Sequence, residues 1–444
     1  MLQNQTFING RIFTGDSKCL FLPCGFVRTE GDLILEVGPM SDYQPLENES
    51  VTDLGGKIIT PGLISTHYHF YGQFARGMQV PRPMANWQQV LSRMWWEMDR
   101  QLDEESLYYS TMMGLIEGMK CGTTTYFDHN ASPGFIDGSL DVIRKAVKEA
   151  GARAALSYEV TDRNGKSGAL AGIRENERMA RACAAENGDM VRAMFGLHAS
   201  YTLDDDTLDR CQSVQEGLHL GYHIHMAEAA ADVSDCYRRF DMHVTDRLAE
   251  RGILNGQSIA AHCVHVGPKQ WATMAKAGVT AAHNVQSNTN NGVGISPVCA
   301  MLDSGVHVAL GGDGYGSDLH MELSLVSMMQ HLAAGDPSVC TQEHMMLLAY
   351  ENPARLMRNV FGYSCGTLSR GAKADFSILS YDPPTPMNAQ NAFSHILCGA
   401  PGHVDTVMIA GKPVVKGGKC VNLDEEYIFA HCREAAAKLW KRMP

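Results

Sequence analysis

Two periodicities divide this chain. Near its start, "QTFINGRIFTG" and "GFVRTEGDLILEVG" alternate apolar and polar residues between Gly and Asp turns, the pattern of strands with one buried face. The same texture returns near the end, in "AKADFSILSYDPP" and "VDTVMIAGKPVVKGGK". Together they predict one small β-sandwich domain built from both termini, residues 1–58 plus 366–420. Between them, in residues 59–365, short apolar runs alternate with longer helical stretches such as "DEESLYYSTMMGLIEGMK" and "LDVIRKAVKEAG". Eight of the runs read as strands: "KIITPGLISTH", "TTTYFDH", "ARAALSYEV", "VRAMFGLHA", "LGYHIHMAE", "SIAAHCVH", "VTAAHN" and "VHVALGGDG". Eight β/α steps over about 300 residues predict an α/β fold of the (β/α)8 TIM-barrel type. A doubly wound open sheet competes, but no glycine-rich dinucleotide loop follows the first strand. The tail "EEYIFAHCREAAAKLWKRM" predicts a closing amphipathic helix in residues 421–444.

Bulk composition narrows the function classes. At 444 residues the chain is long enough for one large domain and a smaller one, and its 45% hydrophobic and 19% charged content is that of a soluble enzyme. A formal charge of -12, with Lys and Arg scattered, argues against a nucleic-acid partner. No apolar stretch is long enough for a bilayer, and "MLQNQTFING" lacks the order of a signal peptide. The 13 dispersed cysteines contain no Cys-x-x-Cys and predict reduced thiols in the cytoplasm. The expected partner is a small molecule, with a homodimer admitted and no membrane or nucleic acid.

Candidate chemistry gathers at the strand ends. In "PGLISTHYHF", His67 and His69 stand at i and i+2, so a strand turns both imidazoles to one face. Seven of the eight strands end in His or Asp: His67 and His69, Asp128 and His129, His198, His223 and His225, His262, His283, and Asp313. Barrels carry their catalytic groups at that rim. Singly, His129, His223, His265 and His283 read better as partners of loop backbone groups; the set points to a metal. His67, His69, His225 and Asp313 supply three nitrogens and a carboxylate for one ion. "FGLHASYT" closes the fourth strand without a lysine, which favours one divalent metal over a bridged pair. Zinc suits this donor set and ferrous iron accepts it.

In this order, "PGLISTHYH", "HIHMAE", "AAHCVH", "AAHNVQSN" and "LGGDGYGSD" resemble the amidohydrolase superfamily, in its cytosine deaminase, chlorohydrolase and adenosine-type deaminase branch. The resemblance covers almost the whole chain. More narrowly, "WWEMDRQLDEESLYYS", "DHNASPGFIDGSL" and "HNVQSNTNNGVG" are similar to the aminohydrolases associated with selenium metabolism, which does not supply a substrate. The family pattern implies metal ligation by His67, His69, His225 and Asp313. It makes Glu228 the acid three residues past the fifth-strand ligand. It sets His262 toward the metal-bound water and His198 on the substrate side. Val285 and Gly312 depart from the proline and threonine common in relatives, which bears on loop shape and substrate identity.

The implied reaction is hydrolytic deamination of a nitrogen heterocycle. A bound zinc lowers the pKa of water from about 15.7 toward 7. Asp313 takes its proton, Glu228 protonates a ring nitrogen, His262 steadies the oxygen, and ammonia leaves. Glu97, in the insertion "MWWEMD", is either a substrate contact or part of a solvated helix face. Its neighbouring tryptophans either stack on a ring or anchor the helix. Ser287 and Asn288 are expected to touch the heterocycle. Dechlorination or another displacement on a similar ring is an alternative reaction, and a non-catalytic binding protein on the same fold is a third reading. The intact ligand set weighs against the last.

Overall fold

The computed structural model describes residues 4–16, 20–186 and 188–443. The alternating segments at the two ends pair with each other. Strands Asn4–Phe13, Phe21–Glu30, Leu33–Pro39, Ser50–Asp53 and Ile58–Pro61 join Phe376–Leu379, Val404–Ile409, Lys412–Lys416 and Lys419–Cys420 in one nine-stranded sheet. The seam runs antiparallel, with Phe376 opposite Pro61 and Leu379 opposite Ile58. Both seam strands are buried along their whole length. Phe7 meets Phe376 edge to face at 5.2 Å beside Ile12, Val27 and Ile59. An aromatic pair of this geometry adds about 0.5–1.5 kcal/mol to its burial.

The barrel follows. Its strands are Leu63–Tyr68, Thr123–Asn130, Arg153–Tyr158, a fourth interrupted at Met194 into Val191–Ala193 and Phe195–Ala199, then Tyr222–Met226, Ile259–His262, Thr280–His283 and His307–Leu310. Neighbours pair in parallel. Parallel bridges from Tyr68 to Asp313 and from Val160 to Leu197 close the ring. Apart from Arg192 and His307, every strand position is buried. Burial on both faces is what a parallel sheet wrapped by helices requires, and it explains why these strands read as apolar runs.

The stretch read as one strand, "KIITPGLISTH", is two. Ile58–Pro61 stays in the nine-stranded sheet and Leu63–Tyr68 opens the barrel. Gly62 makes the crossing: its N–H donates to the Asp375 carbonyl at 3.1 Å. A Cβ there would stand 2.3 Å from Thr124 Cγ2, so only glycine fits. The chain therefore leaves the terminal sheet at Gly62, a few residues beyond the boundary expected at 58.

Two helices tie the layers together. Ala392–Gly399, not anticipated, sets Phe393 and Ile396 into the barrel's own apolar core. The closing helix Glu425–Arg442 is capped by Asp424, whose side chain accepts from the Tyr427 N–H. Lys438 on it meets Glu105 at 2.8 Å, and Trp440 Nε1 donates to the Phe74 carbonyl at 2.9 Å. Over the barrel mouth lies the insertion Trp87–Val90, Leu91–Trp95 and Trp96–Arg100, whose middle piece is a π-turn. Among the described residues no helix is long and apolar enough to cross a membrane.

Candidate active site

The first strand delivers His67 and His69 to one point, with ring centroids 4.7 Å apart. His225 Nε2, from the end of the fifth strand, lies 3.3 Å from His69 Nε2. Asp313 Oδ1 is 3.1 Å from His69 Nε2 and 3.5 Å from His67 Nε2. His69 thus has His225 and Asp313 beside it, with His67 next to Asp313, and ring nitrogens of His67, His69, His129 and His225 lie within 4.8 Å of one another. Ligands 2.0–2.1 Å from a zinc ion at tetrahedral angles would stand about 3.3 Å from one another. The outer ring nitrogens are fixed by other groups. His67 Nδ1 lies 2.8 Å from His223 Nε2. His69 Nδ1 is 2.5 Å from the His129 carbonyl, and His225 Nδ1 is 3.0 Å from the His198 carbonyl. Inner nitrogens free and outer nitrogens held is the arrangement of metal-bound imidazoles. His67 Nε2 is buried without a hydrogen-bond partner of its own. The residues fit a cation.

Electrostatics sort the acids. Burial alone would raise the Asp313 carboxyl, but the imidazoles of His67 and His69, 3.5 and 3.1 Å away, overcome it and hold the group well below the usual range. Burial, with Asp313 and Asp232 nearby, drives Glu228 well above its ordinary value. Burial lowers His67 to about 3 and takes His225 well below the imidazole range. In His69, burial is outweighed by Asp313, and the ring rises to about 9. His262 Nε2 stands 3.9 Å from both Glu228 Oε2 and Asp313 Oδ2. Its Nδ1 faces Asn288 Oδ1 at 2.8 Å, so the N–H lies on that side and the Nε2 lone pair points inward. Both His262 (φ 73°) and Asp313 (φ 52°) occupy the left-handed region, backbone strain of the kind found at functional sites.

The cavity over this cluster has aromatic walls, Tyr71, Trp95, Trp96, Tyr201 and Tyr315, with His198 and Glu228 also on it. Three expected contacts lie elsewhere. Glu97 is half-buried off the cavity wall and 3.8 Å from Arg100. Asp99 lines the cavity instead, because two residues on a helix are about 200° apart. "QSNTNN" forms the helix Val285–Asn290, which turns Ser287 and Asn288 inward. Asn288 holds His262, and Ser287 Oγ accepts from Asn291 Nδ2 at 3.2 Å; Asn291 reaches the cavity. Of the other histidines, His129 and His223 stack at 4.3 Å, and a His129 ring nitrogen lies within 4.8 Å of those of His67, His69 and His225. His265 Nε2 donates to the Val293 carbonyl at 2.9 Å, and His283 is buried with neither ring nitrogen partnered.

Sequence reading passed over three cavity groups: Asp99, Glu159 and Arg163. Asp99 and Arg163 form a buried ion pair. Burial raises Asp99 to about 6 despite that partner. Glu159 is next to last in "ARAALSYEV", the one strand piece without a terminal His or Asp, so the polar rim runs through all eight strands. That gap was the available signal.

Residues 58–414 match the family model described as amidohydrolase family. The 5'-deoxyadenosine deaminase of Methanothermobacter thermautotrophicus is 30% identical over 427 residues, 94% of this chain and 96% of that one. A 5-methylthioadenosine/S-adenosylhomocysteine deaminase from Desulforudis audaxviator is 29% identical over 446 residues, covering 97% and 96%. In three dimensions, an adenosine deaminase from Xanthomonas campestris with bound zinc superposes with a TM-score of 0.87 at 20% identity, over 99% of each chain. The atrazine chlorohydrolase of Arthrobacter aurescens TC1, complexed with zinc, gives 0.80 at 21% identity over 97% of this chain and 100% of that one. These last two speak for the fold; the sequence matches decide the family. Because the family model spans every barrel strand and the whole histidine–aspartate cluster, this chain belongs to the amidohydrolase family.

Proposed function

We propose that the chain is a metal-dependent deaminase that hydrolyses the carbon–amino bond of a nitrogen heterocycle, with adenosine-type purines as the first substrate class. The full-length deaminase relatives support that class. The observation that carries the reading is a pair of buried carboxyls flanking one imidazole. Glu228 and Asp313 each stand 3.9 Å from His262 Nε2, with burial pushing Glu228 up and the neighbouring imidazoles pulling Asp313 down. Pushing two carboxyls apart in this way is how one site holds an acid and a base at neutral pH.

His67, His69, His225 and Asp313 would hold a single divalent ion, zinc before iron, in line with the zinc of the structural neighbours. When bound, the ion supplies a water acidic enough to attack at neutral pH. Asp313 and the inward lone pair of His262 take the proton from the attacking water. Glu228 donates to a ring nitrogen, which draws electrons from the adjacent carbon. The proton gathered from water then goes to the departing amine and the remaining hydroxyl proton returns to Glu228, so that water and the aminoheterocycle become the oxo-heterocycle and ammonia. Positioned proton transfer of this kind contributes about 10²- to 10⁴-fold to rate. Trp95, Trp96 and the cavity tyrosines offer flat faces for the ring.

The test is ammonia release by metal-loaded protein across amino-heterocycles and their chloro counterparts. Turnover of an adenosine-type member supports the reading; chloride release without ammonia, or no turnover of any member, overturns it. We also assign the chain to the cytoplasm, a reading supported by twelve described cysteines that are all free thiols.

A further inference from the structure

Glu159 takes no part in the reaction above, yet it sits on the same cavity with its side chain 3% exposed. Its Oε1 has no hydrogen-bond partner. The nearest groups are His129 Nδ1 at 3.5 Å and His69 Nδ1 at 3.6 Å, and the latter is committed to the His129 carbonyl. Arg163, the cation on this wall, is paired with Asp99 and lies over the Trp96 ring at 5.2 Å. Glu159 Oε1 is thus turned inward to His129 Nδ1, which has no other partner, and Oε2 is the oxygen left beside His198 on the cavity side.

His198 stands beside it, with Nε2 3.8 Å from Glu159 Oε2. Its Nδ1 is 2.7 Å from Thr202 Oγ1, and that hydroxyl donates its proton to the Ala199 carbonyl at 3.1 Å. Thr202 must then accept from His198 Nδ1–H, and the neutral ring shows a bare Nε2 to the cavity. Two acceptors, Glu159 Oε2 and His198 Nε2, therefore stand 3.8 Å apart on the cavity wall. Around the rim, the fourth strand with His198 separates Glu159 from Glu228. A ring held by Glu228 at the reacting edge turns a different edge, or its substituent, toward the acceptor pair.

We propose that Glu159, with His198, is a specificity-determining site that receives a hydrogen-bond donor of the substrate, either an amino or N–H group of the ring or a hydroxyl of an attached sugar. The inference rests on the deaminase reading for its substrates. Beyond its reacting amino group, an N9-substituted adenine ring offers only lone pairs and C–H edges. In an adenosine-type substrate the donor is thus a sugar hydroxyl, and in a more heavily aminated base it is the second amino group.

The experiment uses the metal-loaded full chain, its Glu159→Gln and Glu159→Ala variants, and five compounds: adenosine, 2'-deoxyadenosine, 3'-deoxyadenosine, 9-methyladenine and 9-methyl-2,6-diaminopurine. Ammonia release gives kcat/KM, and elemental analysis gives metal content. The wild type should favour a donor-bearing member over its donor-less counterpart by about 10- to 100-fold. Glu159→Gln should shrink that preference and Glu159→Ala erase it, with turnover of the donor-less member kept within about 3-fold and metal content unchanged. Collapse of the adenosine to deoxyadenosine gap assigns the donor to the sugar; collapse of the 9-methyl-2,6-diaminopurine to 9-methyladenine gap assigns it to the ring. An equal loss for every compound, or loss of metal, overturns the proposal. If no compound releases ammonia, the deaminase reading falls instead, and affinities read from tryptophan fluorescence decide Glu159. A wild-type preference for donor-bearing ligands that disappears in the variants supports it, and no such preference overturns it.

Discussion

His225 and Glu228 are three residues apart, but the proposed reaction gives them separable tasks. His225 Nε2 faces the donor cluster, whereas Glu228 lines the cavity and reaches only His262 among the ion-pair partners. His225→Ala should therefore lower metal content, while Glu228→Gln should keep the metal and lose about 10²- to 10⁴-fold in kcat. Elemental analysis beside an ammonia assay checks both; metal loss in Glu228→Gln would move that residue into the coordination shell. At this scale the sequence was readable where spacing fixes direction. His67 and His69 had to share a face because a strand alternates. Glu97 and Asp99 could not be told apart, since the phase of a five-residue helix is set by what it packs on. Glu159 hid for a different reason: an acid after an apolar run reads as the solvated start of a loop, and only the closed ring turns it inward.

Elements show the same division. The parallel strands were legible as apolar runs because both faces are buried, yet the break at Gly62 was not, since the residues on either side are equally apolar. The segment after the seventh strand read as a loop that meets the ring; it is the helix Val285–Asn290, and its work is to hold His262. Ser296 adds to this by donating to the His262 carbonyl at 2.8 Å, and Gln330 donates to the Ser296 carbonyl at 2.8 Å. Asn288→Ala should consequently act on the common chemistry rather than on choice of ring. Removing the acceptor for His262 Nδ1–H should cost about 1–3 kcal/mol, or roughly 5- to 150-fold in kcat/KM, equally for every analogue. Steady-state kinetics on two or more good substrates check this. A change in the ranking of analogues would place Asn288 back among the substrate contacts.

For the molecule as a whole, the joint between the terminal sheet and the barrel decides whether the rim is held in register. Arg153 opens the third barrel strand and Asp375 precedes the seam strand Phe376–Leu379, 222 residues away. Both side chains are fully buried. Arg153 Nη2 reaches Asp375 Oδ1 at 3.2 Å, and the same carboxylate accepts from the Ala410 N–H at 2.7 Å. The likeness of the two end segments foretold that they combine, but a contact between residues so far apart has no local signature. Because both side chains are fully buried, Asp375→Ala removes the nearer of two carboxylates from Arg153, leaving Asp189 at 3.9 Å, and should cost about 3–5 kcal/mol. Replacing both partners, Arg153→Met with Asp375→Leu, removes the stranded charge and should recover most of that loss. Chemical denaturation of the three proteins reads the difference directly. A single substitution costing under about 1 kcal/mol would show that water or the Tyr363 hydroxyl, 3.0 Å from Arg153 Nη1, already satisfies the arginine. In that case the apolar seam, with Phe376 packed on Phe7, carries the joint by itself.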